Sequence, residues 1–200
     1  KGWVLGETLI TGIGQGYTQT TPIQLCLMTA QIANGGYKIK PKILTDDNRL
    51  TSEQVTKAME SSKLNNFYEP LFLNQKNIKI IQEAMFSSTN ELRGTSYKSR
   101  IDDPKYQFAG KTGTAQVKRI SKRERELDLK TFQIPYKERD HALYVAFGPY
   151  INPRYALSII VEHGGSGSAA AAPMAKELFK LIIDKHQIRK QSPDYKEFNI

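Results

Sequence analysis

Three consecutive segments with β-strand patterns limit the fold of this chain more than any other feature of its sequence. They span Gln107–Val117, His141–Phe147 and Tyr155–Glu162. A hairpin-length, proline-containing turn, Gly148–Arg154, joins the second segment to the third, and strands joined by so short a turn pair antiparallel. The connection between the first two segments is long and charged. We therefore predict an antiparallel sheet of three sequential strands.

Helical patterns precede the strand segments. Thr21–Gln24 carries a Thr-x-x-Gln capping signature with proline at the first helical position, which predicts a helix over Pro22–Ala33. This helix is apolar on most faces, and we expect it to be largely buried. A second helix is predicted over Asn74–Phe86 from the spacing of its apolar residues. Ahead of both, the short segment Thr8–Thr11 is β-prone.

A closing helix is predicted after the third strand segment. Gly164–Gly167 leads into it, and Pro173 is tolerated in its first turn. We expect its buried stripe to consist of four apolar residues at helical spacing: Met174, Leu178, Leu181 and Ile182. Helices, three strands and a closing helix in this order indicate an α/β fold, α+β in arrangement, with helices packed on an antiparallel sheet.

Composition and charge argue against several classes of function. The net charge of +9 suggests nucleic acid as a partner. Between Val117 and Asp140, however, basic and acidic residues are mixed as in a solvated loop, and aromatic residues are not interleaved as stacking platforms. The single cysteine, Cys26, lies in an apolar run and is interpreted as a small buried hydrophobic residue. The three histidines are far apart and form no ligand motif, so we predict no metal site and no cofactor.

The tetrapeptide Lys111-Thr112-Gly113-Thr114 lies inside the first strand segment. Lysine beside small hydroxyl residues and glycine is unusual in a core strand and favours a site at the edge of a sheet. Glycine lets a ligand backbone approach closely, the hydroxyls can hold a carboxylate, and lysine supplies positive charge. A Lys-Thr-Gly triplet in a strand is one signature of the serine acyltransferases of the β-lactamase and penicillin-binding class.

Motifs along nearly the whole chain resemble those of class B penicillin-binding proteins. These motifs are Gly12–Tyr17, Thr21–Leu25, Ile32–Gly36, Gly94–Ser96, Lys111–Gln116, Asp140–Ala142, Phe147–Tyr150, Glu162–Gly165 and Ala169–Pro173. The Gly-Gln-Gly-Tyr form together with Lys-Thr-Gly-Thr-Ala-Gln-Val is most similar to the elongation-specific branch of that family. One departure is His163, where the pattern leads us to expect asparagine.

The resemblance implies a β-lactamase/transpeptidase-like fold and a peptidoglycan D,D-transpeptidase function. Residues 1–190 would form the C-terminal portion of the transpeptidase domain, and residues 191–200 a polar tail. In this family a serine attacks the carbonyl of a D-Ala-D-Ala stem peptide and releases D-alanine. The resulting acyl-enzyme is then resolved by an amine, or by water in a carboxypeptidase. Penicillin mimics the dipeptide and leaves an acyl-enzyme that water clears poorly.

The resemblance also implies a role for each residue of the catalytic strand. Lys111 would lend positive charge near the substrate carboxylate and tune the proton-transfer network. Thr112, Thr114 and Gln116 would bind substrate, with Gly113 between them, and the backbone N–H of Thr114 would be one of two oxyanion-hole donors.

The partners that the resemblance implies are peptidoglycan stem peptides, β-lactam antibiotics and the cell-wall elongation machinery, including a glycosyltransferase. Nucleic acid is not expected as a partner. The implied location is the bacterial inner membrane, with the catalytic domain on the periplasmic side. No stretch of the sequence is apolar enough over a sufficient length to cross a bilayer, and no signal peptide opens it. Membrane anchoring is therefore expected only through an upstream segment outside this chain.

Two motifs of related enzymes are missing or only imitated. The nucleophile motif Ser-x-x-Lys does not occur in the sequence, so we predict that this chain alone is inactive. Ser88–Asn90 imitates the second motif, Ser-x-Asn, but it lies close to the Lys-Thr-Gly strand at a predicted helix end, where serine and asparagine are common. Gly12–Gly16 imitates a nucleotide loop but lacks its spacing, and we interpret these glycines as turn-forming.

Two alternative functions stay open at this point. The first is a β-lactamase or β-lactam sensor of the same superfamily; the Gly12–Gly36 stretch favours the transpeptidase over it. The second is a non-enzymatic module that binds an anionic partner through its basic surface, which charge alone supports.

Overall fold

The three strand segments form the predicted antiparallel sheet. The computed structural model describes residues 2–41, 70–71, 74–118, 126–127 and 129–191. Its helices and strands are α1 (Leu5–Gly12), α2 (Pro22–Ala33), α3 (Gln75–Asn90), β1 (Ala109–Ala115), β2 (His141–Gly148), β3 (Tyr155–Val161) and α4 (Ala172–Lys190). A π-helical turn, Gly167–Ala171, leads directly into α4. Apart from Gln191, the predicted polar tail lies outside the described residues.

The order of the sheet is β1-β2-β3, so β2 is central and β1 lies at one edge. Lys111 lies opposite Val145 and Thr114 opposite Ala142 in the register of β1 and β2. β1 is two residues shorter at each end than predicted, while β2 gains Gly148. The prediction of a sequential antiparallel sheet is therefore confirmed.

Helices cover both faces of this sheet. On one face, the π-helical turn and α4 pack against β2 and β3; the rings of Phe108 and Phe179 stack there with centroids 4.8 Å apart. On the other face, α2 and α3 pack around Met85, Ala109 and Phe147. No helix among the described residues combines the length and the apolar character that crossing a membrane requires.

The capping signature of α2 is confirmed, but its burial is not. The amide N–H of Thr21 donates to the Gln24 side chain at 2.8 Å, and the amide N–H of Gln24 donates back to the Thr21 hydroxyl at 3.3 Å. Within α2, Thr29 is the fully buried residue, whereas Ile23 is 65% exposed. The expectation of a largely buried helix is therefore wrong for the chain by itself, because the sheet covers only one side of α2.

The predicted strand at Thr8–Thr11 is wrong, because these residues belong to helix α1. Side chains fix the first turn of this helix. The amide N–H of Val4 donates to the Glu7 carboxylate at 3.0 Å, and the indole N–H of Trp3 donates to the Thr8 hydroxyl at 2.8 Å. These local bonds override the weak β-propensity of threonine and isoleucine.

Helix α3 continues to Asn90, four residues beyond its predicted end. Its last turn is stabilised by side chains that bond to backbone carbonyls one turn earlier. The Thr89 hydroxyl donates to the Met85 carbonyl at 3.3 Å, and the Asn90 amide to the Phe86 carbonyl at 3.0 Å. Residues of this kind favour helix ends in general, but here they extend the helix.

The buried stripe of α4 differs from the predicted one. Its fully buried residues are Ala172, Ala175, Phe179 and Ile183. Three of the four predicted residues are exposed instead: Met174, Leu178 and Leu181, at 49%, 39% and 52%. The prediction ranked leucine above alanine, whereas the short alanine side chains are the ones that let the helix approach the sheet closely.

We predict that Phe179→Ala lowers the free energy of unfolding by about 3–5 kcal/mol, because it removes a completely buried ring that stacks on Phe108. The neighbouring change Leu178→Ala should cost only about 1 kcal/mol, because 39% of that residue is exposed. Urea unfolding of both variants measures the difference. Equal losses would contradict this orientation of α4.

Candidate active site

β1 carries the tetrapeptide Lys111–Thr114 at an edge of the sheet. Within the described part of the chain, β2 is the strand neighbour of β1, and the opposite edge of β1 has no strand beside it. Backbone N–H and C=O groups along such an edge can pair with an extended peptide. The position of the tetrapeptide therefore suits the binding of a peptide ligand.

Lys111 is exposed, and its ammonium group lies along the strand. Its Nζ donates a hydrogen bond to the backbone carbonyl oxygen of Thr112 at 2.8 Å. The side chain also lines a mostly apolar cavity of about 590 Å³, whose walls include Met28, Met85 and Thr95. Positive charge is thus held on the wall of an apolar cavity, beside the backbone of β1.

The Thr112 hydroxyl is joined to the loop that follows α3. Its Oγ1 lies 3.3 Å from Oγ1 of Thr95, which in turn lies 3.2 Å from Oγ of Ser88. Successive side chains of a strand point to opposite faces, so Thr112 and Thr114 share one face of β1. The two threonines thus present hydroxyls on the same side of the strand.

Tyr144, on the neighbouring strand, supports β1 from inside the core. It is completely buried, and its hydroxyl lies 2.9 Å from the Thr89 hydroxyl and 3.0 Å from the Ser96 hydroxyl. Burial raises the pKa of Tyr144, an effect that its bonds to Ser96 and Thr89 partly offset. The phenol therefore remains protonated at neutral pH and ties the end of α3 to the sheet.

Residues of the N-terminal segment face the end of β1 across a second cavity. A cavity of about 530 Å³ is lined on one side by Gly113–Gln116 and on the other by residues of the N-terminal segment: Ile13, Gly14, Gln15, Gly16, Thr18 and Thr20. Gly14 and Gly16 have φ values of 78° and 83°, a region that glycine occupies without strain. These glycines form a turn, as interpreted from the sequence, and this turn faces the tetrapeptide.

The backbone of Gly167 lies against the middle of β1. A Cβ atom at this position would lie 2.4 Å from the Leu143 carbonyl oxygen and 2.6 Å from the Gly113 carbonyl oxygen. Only a residue without a side chain fits there, which is why the π-helical turn can cross β1 and β2 so closely. This contact fixes the distance between β1 and the π-helical turn.

Comparison with known protein families identifies the family of this chain. The profile of the penicillin binding protein transpeptidase domain matches residues 1–180. The chain belongs to the penicillin-binding protein transpeptidase family. This assignment confirms the family and the β-lactamase/transpeptidase-like fold expected from the sequence motifs.

Similar proteins within the penicillin-binding protein family include MrdA and PBP2 proteins. The peptidoglycan D,D-transpeptidase MrdA of Haemophilus influenzae is 29% identical over 204 residues, which cover 99% of this chain and 28% of that protein. The PBP2 of Helicobacter pylori, solved in complex with MreC, is 28% identical with a TM-score of 0.64. The match covers 94% of this chain and 29% of that PBP2 chain. The PBP2 of Pseudomonas aeruginosa, solved in complex with WCK 5153, is 33% identical with a TM-score of 0.63. The match covers 91% of this chain and 34% of that PBP2 chain. The chain therefore spans about a third or less of the relatives it matches.

Ser88–Asn90, which imitates the Ser-x-Asn motif of penicillin-binding proteins, is engaged in local structure. The Ser88 hydroxyl contacts Thr95, and the Thr89 hydroxyl is buried against Tyr144. The Asn90 amide donates to the carbonyl oxygens of Phe86 and Phe108. These bonds agree with the interpretation of the segment as a polar helix end.

His141 and His163 meet beside the end of β1. The backbone N–H of His163 donates to Nδ1 of His141 at 2.9 Å, and the two ring centroids are 4.7 Å apart. Nδ1 of His163 lies 3.0 Å from the Arg139 carbonyl oxygen, which can only accept, so this nitrogen carries the proton. With a φ of 56°, His163 occupies a region that asparagine, the residue expected from the penicillin-binding pattern, also tolerates.

The other reactive side chains take part in packing. The Cys26 thiol lies half-buried, 3.4 Å from the Ala156 carbonyl oxygen, and burial raises its pKa. Nδ1 of His186 lies 2.5 Å from the Tyr155 hydroxyl. Over the described ranges, no three His, Cys, Asp or Glu side chains gather in a group suited to a metal ion.

The candidate site thus combines predicted residues with others that the sequence motifs did not indicate. Gly113, Thr114 and Gln116 line one cavity, while Lys111 lines the neighbouring one. The Gly14–Thr20 wall, Thr95 and the contact of His163 with His141 were missed. The glycine motif and Gly94–Ser96 were visible as family motifs, but nothing in their local pattern placed them beside β1.

We predict that Gly167→Ala lowers the free energy of unfolding by about 1–3 kcal/mol, because the new Cβ meets two backbone carbonyl oxygens that cannot rotate away. Gly12→Ala is the matched control, since a Cβ there meets nothing within 4 Å. Urea unfolding measures both effects. The close contact is disproved if Gly167→Ala behaves like Gly12→Ala.

Proposed function

We propose that this chain is the part of a peptidoglycan D,D-transpeptidase that binds the substrate carboxylate, within a longer enzyme that works through a serine acyl-enzyme and is acylated by β-lactams. The observation that carries the proposal is the placement of Lys111, Thr112 and Thr114 on the edge strand β1, where Thr114 lines the cavity of about 530 Å³ and Lys111 lines the cavity of about 590 Å³. The membership of the chain in the transpeptidase family supports it.

Thr112 and Thr114 hold the carboxylate of the terminal D-alanine. Their Cα atoms are about 6.6 Å apart along one face of the strand, a spacing from which both hydroxyls can reach one carboxylate. A carboxylate only accepts hydrogen bonds, so both threonines must donate. The Lys111 ammonium, bonded to the Thr112 carbonyl, adds positive charge beside the same group and tunes the proton-transfer network.

The acylation step uses the backbone of the same strand. The serine oxygen attacks the carbonyl carbon of the D-Ala-D-Ala bond while its proton passes to the proton-transfer network, which later returns it to the leaving amine. The electron pair of the carbonyl moves to the carbonyl oxygen. The N–H of Thr114 is one of two donors to that oxyanion. When the tetrahedral intermediate collapses, the D-alanine amine leaves with a proton and the acyl-enzyme remains. Losing one donor of this kind typically costs about 10²–10³ in rate.

The stem peptide lies between β1 and the N-terminal turn. The Gln116 side chain is exposed at the end of β1 and lines the cavity of about 530 Å³ together with Gln15 and Thr18. Amide and hydroxyl groups on both walls can pair with the backbone of an extended peptide. This arrangement holds the acyl donor so that its scissile carbonyl reaches the serine.

The serine itself belongs to the longer protein. This sequence contains no Ser-x-x-Lys, so the chain alone is inactive, and a segment carrying that motif completes the enzyme. We refer to the protein that joins both parts as the complete transpeptidase. Resolution of its acyl-enzyme by an amine makes a cross-link, and resolution by water makes it a carboxypeptidase.

The complete transpeptidase acts on the periplasmic side of the bacterial inner membrane, anchored through a segment outside this chain. Its partners are stem peptides, β-lactams and the elongation machinery, including a glycosyltransferase. The solved complex of the Helicobacter pylori PBP2 with MreC supports a partner of the MreC kind for this protein.

We predict that a fluorescent penicillin labels the complete transpeptidase covalently and leaves the isolated 200-residue chain unlabelled. Lys111→Ala should lower the acylation rate by about 100-fold or more, because positive charge beside the carboxylate is lost. Thr114→Val should lower it by about 10- to 100-fold, because a hydrogen bond to a charged group is lost. Gel fluorescence over time gives the second-order rate constants.

Lys185→Ala is the matched control, because this exposed lysine lies on α4, outside the candidate site. An equal loss for Lys111→Ala and Lys185→Ala would contradict the assigned role. Rapid hydrolysis of the label would favour a β-lactamase. Absence of labelling together with strong, salt-sensitive binding to a polyanion would favour the basic binding module.

A further inference from the structure

A chain of three hydroxyl groups ends at Thr112. Ser88 Oγ lies 3.2 Å from Thr95 Oγ1, and Thr95 Oγ1 lies 3.3 Å from Thr112 Oγ1. Ser88 belongs to the last turn of α3, Thr95 to the loop after it and Thr112 to β1. Thr95 is thus the middle member of a chain that connects a helix end to the strand of the candidate site.

The loop that carries Thr95 is held on both sides. A Cβ at Gly94 would lie 2.3 Å from the Ser88 carbonyl oxygen, so the loop backbone packs directly on the helix end. Ser96 is buried, and its backbone N–H and its hydroxyl both donate to that same carbonyl at 3.0 Å. Flanked by these two anchors, the Thr95 backbone has little freedom to move away from β1.

Counting protons gives the chain a direction. Each hydroxyl has a single proton to donate and two lone pairs that accept. If the Thr112 hydroxyl donates a hydrogen bond to a carboxylate, its contact with Thr95 is a hydrogen bond only when the Thr95 hydroxyl donates to Thr112. Thr95 then accepts the proton of Ser88. With the ligand bound, both contacts are hydrogen bonds only when Ser88 donates to Thr95, Thr95 donates to Thr112 and Thr112 donates to the carboxylate.

We propose that Thr95 is a positioning residue for substrate recognition: its hydroxyl donates to Thr112 and thereby turns the Thr112 proton toward the substrate carboxylate. This inference rests on the proposed function, in which Thr112 binds that carboxylate. Thr95 acts through Thr112.

The two contacts are longer than the usual O–H···O distance of about 2.7–2.8 Å. A carboxylate that accepts from Thr112 polarises that hydroxyl, and the polarisation strengthens each bond behind it. The chain therefore stabilises the charged ligand more than a neutral one. Without the Thr95 hydroxyl, Thr112 loses the hydrogen-bond donor that keeps its own proton directed toward the carboxylate.

The test compares a penicillin with its methyl ester on the complete transpeptidase, because the ester lacks the negative charge. The acid-to-ester ratio of acylation rates measures recognition of the carboxylate. Thr95→Val keeps the size and branching of the side chain but removes the hydroxyl, and should lower this ratio about 3- to 10-fold. Thr95→Ser keeps a hydroxyl and should retain the ratio within about twofold.

A double-mutant cycle separates positioning from general damage. Thr112→Val removes the group through which Thr95 acts, so adding Thr95→Val to it should lower the ratio no further. An unchanged ratio in Thr95→Val, or additive losses in the double variant, would overturn the positioning role while leaving the proposed function intact. If the wild-type complete transpeptidase is not acylated at all, or if Thr112→Val alone leaves the ratio unchanged, the proposed binding site fails instead.

Discussion

The hydroxyl of Tyr144 joins the strand of the candidate site to the helix beside it. Its oxygen lies within 3.0 Å of the hydroxyls of Thr89, at the end of α3, and Ser96, in the loop that follows. The ring lies directly under β1: a Cβ at Gly110 would come within 2.3 Å of the tyrosine oxygen. The position of β1, the end of α3 and the loop bearing Thr95 all depend on this buried group. The ring fits in this place because glycine stands at position 110.

Local signals in the sequence were sufficient for the sheet and for α2. Short turns and alternating strands predicted β2 and β3 almost to the residue, because hairpin pairing is decided by neighbours in the chain. The closing helix was predicted but its buried side was not. Which face of α4 meets the sheet depends on how closely a backbone can approach, and Ala172 and Ala175 permit that approach where larger residues would not. Hydrophobic ranking alone does not contain this information.

The candidate site was predictable only where its chemistry is contiguous. Lys111–Thr114 could be recognised because four neighbouring residues carry several functions on one strand. The opposite wall at Gly14–Gly16 was correctly interpreted as a turn, but its place beside β1 depends on tertiary packing. The same holds for His141 and His163, which meet because the turn after β3 returns to the start of β2. Contacts between distant segments of a chain leave no local pattern that a single sequence could reveal.

The close passage of Gly167 over β1 has an evolutionary consequence. Two carbonyl oxygens occupy the space that any side chain at this position would need, so a single substitution cannot reshape this side of the groove without displacing two strands. The opposite wall is under no such restriction, since Ile13 and Thr18 are exposed. A single substitution that changes which ligands fit is therefore accommodated more readily in the N-terminal turn than at Gly167.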